Sequence, residues 1–267
     1  MSESTPDQAE ALSFLRRFAV IALLGLVGVV ALLPGVLASL RELGQSSAVT
    51  SELSVPFLAL LSLLNPAFLV IAASAVGALV APRLRLRSRL AEWAATRTSI
   101  SGSLGRELGV GALTGAAAGV VLLGLNALSG SPFGGGAGAL NAGSDGTVVP
   151  LLADVLYGSL GEEIIARWGL LTLLAWAFTG FRSGERPGSG RLWLATVLAA
   201  VLFALFQLPA SLGAAPLTTQ LIVSAVALNG LVGVLYGWLY WTYSLEAAMA
   251  SHASTLLVTY LVASILT

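Results

Sequence analysis

The chain has 267 residues, of which 57% are hydrophobic and only 10% are charged, with a formal net charge of zero and a mean hydropathy of +0.90. A soluble domain carries roughly 25% charged residues, so this composition excludes an ordinary soluble protein and favours an integral membrane protein. No basic patch with interleaved aromatic residues is present, which argues against nucleic-acid binding, and the absence of cysteine excludes disulfides and thiol chemistry.

Apolar segments long enough to cross a bilayer, which takes about 20 residues, recur along the chain. They cover residues 18–40, 55–82, 108–128, 150–181, 192–214, 217–241 and 246–266. The first segment follows Arg16 and Arg17, as a signal peptide would, but it is too long for that and has no small-residue cleavage site, so we expect a retained span. The sequence therefore predicts an all-α, polytopic transmembrane helical bundle of about seven spans.

The chain divides into three parts by composition. Residues 1–15 form a polar N-terminal tail, and residues 16–149 form a generic transmembrane region of three spans. That region ends in a Gly-rich external loop at residues 129–148, and residues 150–267 form the part with unusual polar residues. Small residues four apart, which allow helices to approach closely, occur in the third and sixth spans at Gly111, Gly115, Gly119, Gly233 and Gly237.

The arginines indicate how the chain is oriented. All thirteen basic residues are arginine, a usage that favours a prokaryotic genome rich in G and C. Eleven of them lie before the first span or in the loops after the second and fourth spans, all on one side, and Arg41 lies on the other. The excess of positive charge on cytoplasmic loops predicts a plasma-membrane protein with a cytoplasmic N-terminus and an external C-terminus.

Charged residues in the fourth span are the first sign of function. Carboxylates at such a depth are costly, and chains that keep them usually use them. If this span is α-helical, Glu163 and Arg167 form an i,i+4 ion pair in the favourable order. Glu162 points elsewhere, on the face of Asp154 eight residues earlier, and has no partner in its own helix. The pair alone could merely join helices, but the additional Glu162 is a candidate general base.

Two more polar residues lie at a comparable depth. His252, the only histidine, falls in the seventh span, and Gln207 falls in the fifth. A helix rises about 1.5 Å per residue, which places three residues in the middle of a hydrocarbon core about 30 Å thick: Glu162, Gln207 and His252. A buried histidine can simply bond a helix carbonyl, and a buried glutamine can simply join helices. We expect instead that the three share one cavity.

These residues fall in an ordered series of motifs. Glu162-Glu163-x-x-x-Arg167, Phe203-x-x-x-Gln207 and Leu245-Glu-Ala-Ala-Met-x-x-His252 together resemble the motifs of the CAAX-protease and bacteriocin-processing (CPBP, or Abi) intramembrane proteases. The resemblance covers roughly residues 150–260, and it implies that residues 150–267 are a CPBP-like catalytic core. It implies a helical bundle with a polar cavity, in which Glu162 activates a water with help from position 207. His252 and the residue four positions later would stabilise the oxyanion, and the substrate would be a hydrophobic or prenylated peptide.

The chain departs from that family pattern at two positions. The second motif ends in Gln207 where the family has histidine, and Leu256 stands where the third motif has asparagine or another polar residue. Glutamine can donate a hydrogen bond but cannot take up a proton, and leucine can do neither. The resemblance leaves a divalent metal open, with Glu162 and His252 as its only ligands of the right type, while a site built on several histidines is excluded by the single histidine.

Three functions are compatible with these residues. The first is an intramembrane endopeptidase that uses Glu162, Glu163, Arg167, Gln207 and His252. The second is a proteolytically inactive member of the family that acts as a membrane binding scaffold. The third is a transporter or proton relay, which requires polar residues leading to both surfaces. Outside the cluster the spans offer only a few: Asn65, Asn126, Asp154 and Asn229. The sequence therefore favours the first two.

Overall fold

The computed structural model describes residues 6–46, 54–129, 148–182, 184–212 and 219–266. The regular structure in these ranges is helical, which confirms the predicted all-α fold. The helices are α1 (Pro6–Ala31), α2 (Leu33–Ser46), α3 (Val55–Val80), α4 (Arg89–Thr96), α5 (Ser101–Ser129), α6 (148–178), α7 (Ser189–Leu212), α8 (Thr219–Thr242) and α9 (Leu245–Leu266). Of the predicted Gly-rich loop 129–148, residues 130–147 lie outside the described residues.

Among the described residues, five helical stretches are long and apolar enough to cross a membrane. They are Gln8–Arg41, Val55–Leu84, Gly102–Leu125, Ser189–Leu208 and Leu245–Val262. The other two predicted spans are also helical: one is the 24-residue α8, and the other is α6, whose middle contains charged residues. The chain is thus a multi-pass, all-α membrane bundle.

The N-terminal apolar segment forms two helices. The described part of α1, Pro6–Ala31, includes residues 6–15 of the predicted polar tail. The helical run is interrupted at Leu32, where α1 ends, and α2 then starts with Pro34 in its first turn. Proline has no N–H to donate to the preceding turn, which explains why one apolar segment forms two helices.

Helix α6 is the central element of the bundle. Its middle turns contact α1, α3, α7, α8 and α9. Trp168 of α6 is fully buried, with its ring edge-to-face against Tyr240 at a centroid distance of 6.4 Å. One turn further on, Thr172 Oγ1 and Tyr240 Oη hydrogen-bond at 2.8 Å. These contacts join α6 to α8 beside the polar residues of interest.

The predicted rows of small residues are helix contacts. A Cβ atom at Gly115 of α5 would lie 2.0 Å from the Ser251 carbonyl oxygen of α9, so only glycine allows this approach. Gly237 of α8 has the same function against Thr196 of α7, where a Cβ would lie 2.6 Å from Thr196 Cγ2. The close packing of α5 on α9 fixes the helix that carries His252.

A buried carboxylate fixes the start of α9. Glu246 accepts hydrogen bonds from Ser88 Oγ at 2.7 Å and from the backbone N–H groups of Arg89 and Leu90, each at 3.0 Å. These N–H groups belong to the first turn of α4, where an anion also complements the helix dipole. Arg89 in turn donates to Glu107 of α5, and this hydrogen bond is the main cause of a raised pKa of Arg89. The loop before α4 is therefore tied to the helix of His252.

Candidate active site in the middle of the bundle

The backbone of α6 is wound unusually where the glutamates lie. After an α-helical start at Val148–Leu156, the turns Tyr157–Glu162 and Ile164–Leu171 are π-helical, with Glu163 between them, and α-helix resumes at Thr172. The segment is therefore continuous rather than broken. The assumption of about 3.6 residues per turn, which placed Asp154 and Glu162 on one face, was wrong here. Wide π turns occur mostly in short stretches and frequently at functional sites.

Glu163 is completely buried and binds two cationic or potentially cationic groups through one oxygen. As its spacing predicted, Arg167 donates from Nη1 to Glu163 Oε1 at 2.8 Å. His252 Nδ1 lies 2.8 Å from the same oxygen, a contact that the sequence did not indicate. Glu163 Oε2 has no hydrogen-bond partner among the described residues. Arg167 and His252 therefore balance the charge of Glu163 inside the protein, both at Oε1.

Arg167 is held by a second helix as well. Its Nη2 donates to the Gly233 carbonyl oxygen of α8 at 3.0 Å, and its guanidinium lies 5.3 Å from the centroid of the Tyr236 ring. A Cβ atom at Gly233 would come within 3.4 Å of Arg167 Nη2. Glycine at this position leaves room for the guanidinium against the backbone of α8. The arginine therefore joins α6 to α8 while it neutralises Glu163.

The contact with Glu163 determines which nitrogen of His252 carries a proton. A carboxylate oxygen can only accept, so Nδ1 must be the donor in this hydrogen bond. Nε2 is then free of the ion pair and lies close to α6, 3.2 Å from the position that a Cβ of Gly158 would occupy. The imidazole is mostly buried, with 14% of the side chain exposed. A carboxylate that orients an imidazole through Nδ1 is an arrangement used for proton transfer.

Glu162 is brought together with Gln207 and His252. The Gln207 side chain of α7 hydrogen-bonds the Glu162 carboxylate, and His252 lies near enough to interact with it electrostatically. Because a carboxylate accepts, the amide nitrogen of Gln207 is the donor. Glu162 is half-buried, whereas its neighbour Glu163 is fully buried. The predicted difference between the two glutamates, one paired with Arg167 and one outside that pair, is therefore present in the structure.

Leu256 occupies the place beside the imidazole where the family resemblance predicts a polar residue. It is buried, and its Cδ1 lies 3.2 Å from the position of a Cβ added to Gly158, as does His252 Nε2. The neighbouring hydroxyl of Thr255 donates to the carbonyl oxygens of Gly115 and Ser251, both at 2.9 Å. This part of α9 thus presents apolar surface and one imidazole nitrogen.

Sequence reasoning missed two aromatic residues near the cluster. Tyr236 of α8 stacks on the His252 ring, with centroids 4.8 Å apart and ring planes 24° apart. Tyr157 of α6 lies close enough to Glu162 for an electrostatic interaction. Neither tyrosine could be identified from spacing alone, because both contacts depend on the packing of separate helices or on the π winding.

Among the described residues, the cluster offers a divalent metal at most Glu162 and His252 Nε2 as protein ligands, fewer than a site held by the protein alone uses. No three His, Cys, Asp or Glu side chains in the part of the chain that the structure describes converge as metal ligands. Glu163 Oε1 and His252 Nδ1 already bind each other, and the Arg167 guanidinium lies on the same oxygen. A second cation at that oxygen would meet the charge of the arginine.

Three asparagines and one further aspartate lie in the predicted spans. Asn65 is exposed on α3, while Asp154 and Asn229 are partly buried, and the Asn126 side chain lies outside the described residues.

A comparison with protein families finds a match over residues 144–258 to the type II CAAX prenyl endopeptidase Rce1-like family. All five predicted site residues lie inside the matched range. No curated protein and no solved structure matches the chain. The matched range begins before α6 and ends in α9, so it contains the helices that bring Glu162, Gln207 and His252 together. Residues 144–258 are therefore a domain of the Rce1-like, or CPBP, membrane-protease family, carried by a multi-pass membrane protein.

Proposed function

We propose that the chain is an intramembrane endopeptidase in which Glu162 activates a water molecule for attack on a peptide bond. The observation that carries the proposal is the unequal use of two adjacent glutamates. Glu163 is buried against Arg167 and His252, while Glu162 is half-buried and hydrogen-bonded to Gln207. A carboxylate outside the ion pair, next to an oriented imidazole, supplies the groups that amide hydrolysis needs.

The proposed reaction assigns one task to each residue. Glu162 removes a proton from water, the hydroxyl oxygen bonds to the scissile carbonyl carbon, and the carbonyl oxygen takes the negative charge. Gln207 orients the Glu162 carboxylate, and His252, when Nε2 carries a proton as well as Nδ1, donates from Nε2 to the oxyanion. Collapse of the intermediate breaks the carbon–nitrogen bond, and the proton held by Glu162 passes to the leaving amine. Glu163 and Arg167 act by holding His252. No step requires a metal.

The substrate class follows from the surroundings of the site and from the family. The bundle is apolar and embedded in lipid, so a substrate must reach the cluster from the bilayer or its interface. A hydrophobic or C-terminally prenylated peptide meets this requirement. The arginine-rich loops support a plasma-membrane orientation with a cytoplasmic N-terminus and an external C-terminus.

A second function is favoured by Leu256 and Gln207. Losing an oxyanion donor typically lowers rates by about 10²–10³-fold, and Leu256 cannot donate. A chain that keeps the cluster without turnover would be an inactive membrane scaffold that binds peptides. The variant Gln207→His distinguishes the scaffold from the endopeptidase. If wild type does not cleave and Gln207→His does, the chain is an enzyme that has lost its activity. A transporter would instead show solute or ion flux that depends on Glu162.

The proposal is tested by reconstituting the protein in lipid with a panel of prenylated and hydrophobic peptides. Wild type, Glu162→Gln and the control Glu185→Gln are compared, because Glu185 is an exposed carboxylate in the loop before α7. We expect cleavage by wild type and by Glu185→Gln, and a loss of about 10²-fold or more in Glu162→Gln, since general-base catalysis contributes about 10²–10⁴-fold. Cleavage that survives in Glu162→Gln removes Glu162 from the mechanism.

A further inference from the structure

Tyr236 is a buried residue to which the proposed reaction assigns no step. It lies one turn after Gly233 in α8 and is 2% exposed. One face of its ring stacks on the His252 imidazole, with the centroids 4.8 Å apart. Its hydroxyl hydrogen-bonds Thr255, which is bonded in turn to the Gly115 carbonyl oxygen of α5. The ring is therefore fixed both at its face and at its hydroxyl end.

Tyr236 also closes a ring of contacts around Glu163. The Arg167 guanidinium lies 5.3 Å from the centroid of the Tyr236 ring, and His252 is stacked on the same ring. Arg167 and His252 both bind Glu163 Oε1. The contacts thus form a closed cluster of four side chains, in which each contacts two of the others: Glu163, Arg167, Tyr236 and His252.

A hydrogen bond at one atom does not fix the plane of an imidazole. The bond to Glu163 holds Nδ1 in place, but the ring can still tilt about this contact and move Nε2 from its place beside Gly158. Stacking against an aromatic face restricts that tilt, because offset-stacked rings have a preferred separation and orientation. On the opposite edge, Nε2 lies against Gly158, which has no side chain of its own. The stacked Tyr236 ring therefore restricts the plane of the imidazole.

We infer that Tyr236 is a positioning residue, which holds the plane of the His252 ring and so keeps Nε2 beside Gly158 of α6, close to the turn of Glu162. The catalytic consequence rests on the proposed function, whereas the geometric statement does not. The hydroxyl has the lesser role, because it fixes the tyrosine and not the imidazole. Phenylalanine should therefore preserve the orientation of His252, and leucine should lose it.

The single histidine makes a direct test possible. Protein labelled with ¹⁵N- and ¹³C-histidine gives the signals of His252 alone, so the imidazole shifts report its tautomer, its motion and the ring current of its neighbour. Tyr236→Phe and Tyr236→Leu are compared with Tyr240→Leu in the same lipid. Tyr240 is a matched control: it is fully buried one turn further along α8, but it contacts Trp168 and Thr172 instead.

We expect one set of His252 signals with protonated Nδ1 in wild type, Tyr236→Phe and Tyr240→Leu. In Tyr236→Leu, the ring-current shift should disappear and the signals should broaden or show both tautomers. Spectra that are unchanged in Tyr236→Leu, or changed equally in Tyr240→Leu, overturn the inference. The melting temperature of each variant identifies any that fails to fold. If Tyr236→Leu does not fold, Tyr236→Phe is compared with wild type instead. Loss of the His252 orientation in Tyr236→Phe would also contradict the inference.

The activity measurement separates this inference from the proposed function. In Tyr236→Leu, kcat should fall by about 10- to 100-fold with little change in KM, because small displacements of a reacting group are costly, and Tyr236→Phe should restore it. If no variant cleaves, wild type included, but the spectral change is specific to Tyr236→Leu, the positioning inference holds and the proposed function fails. If kcat falls equally in Tyr240→Leu, the positioning inference fails.

Discussion

His252 Nδ1 lies 2.8 Å from Glu163 Oε1, and Arg167 Nη1 lies 2.8 Å from the same oxygen. One buried carboxylate thus binds both the arginine one turn along its own helix and the histidine 89 residues further along the chain. The consequence is that Glu162, although adjacent in sequence, is left outside the ion pair. The assignment of roles to the two glutamates depends on this relationship.

Removal of the Arg167 side chain should lower the free energy of unfolding. In Arg167→Met, the fully buried Glu163 keeps only His252, and an uncompensated buried charge typically costs about 3–5 kcal/mol. Arg106→Met removes an exposed arginine and should change stability by less than about 0.5 kcal/mol. The free energy of unfolding in mixed micelles checks both values. Equal stability of the two variants would show that the pair contributes little.

Alanine in place of two glycines of α5 should change the free energy of unfolding in opposite directions. Gly115→Ala places a Cβ 2.0 Å from the Ser251 carbonyl oxygen, so α9 must move, and overpacking of this kind costs about 1–3 kcal/mol. Gly109→Ala meets nothing within 4 Å and should stabilise the helix by up to about 1 kcal/mol. Unfolding measurements on both variants give the signs. A neutral Gly115→Ala would mean that α5 and α9 do not pack this closely.

Substitution of Gly158 should lower activity, because this glycine borders the His252 imidazole. A Cβ there lies 3.2 Å from His252 Nε2 and 3.2 Å from Leu256 Cδ1, tighter than ordinary contact. We expect Gly158→Ala to fold but to lower kcat by about 10-fold, since small displacements of a reacting group are costly. Gly124→Ala, with open space around it, is the control. Unchanged cleavage in Gly158→Ala would mean that Nε2 does not act from this position.

The carboxylate at the start of α9 should contribute to stability from a distance. Glu246→Ala removes the acceptor for Ser88 Oγ and for two backbone N–H groups of α4, and buried unsatisfied donors cost about 1–3 kcal/mol. The exposed Glu92 is a control in the same region, and Glu92→Ala should have little effect. Hydrogen exchange of the α4 amides measures the local effect. Equal protection in the two variants would contradict the assigned role of Glu246.

The sequence predicted the helical class, the Glu163–Arg167 pair and the meeting of α6, α7 and α9, because hydropathy and helical spacing carry those features. It did not predict the contact of His252 with Glu163. The turns on either side of Glu163 are π-helical, and a spacing of about 3.6 residues per turn does not predict the direction of a side chain there. Tyr236 was missed for a related reason: its place in an aromatic-rich run of α8 gives no sign that its ring faces the histidine.

The central claim, that the Glu162 side chain meets Gln207 of α7, can be measured directly because the chain has no cysteine. The variant Glu162→Cys/Gln207→Cys, in lipid, contains the only two thiols and is treated with a short bifunctional thiol reagent. The control Glu162→Cys/Val197→Cys moves the second thiol about 15 Å along α7. We predict efficient cross-linking of the first pair and little of the second. Cross-linking of the control pair alone, or of neither, would contradict the account.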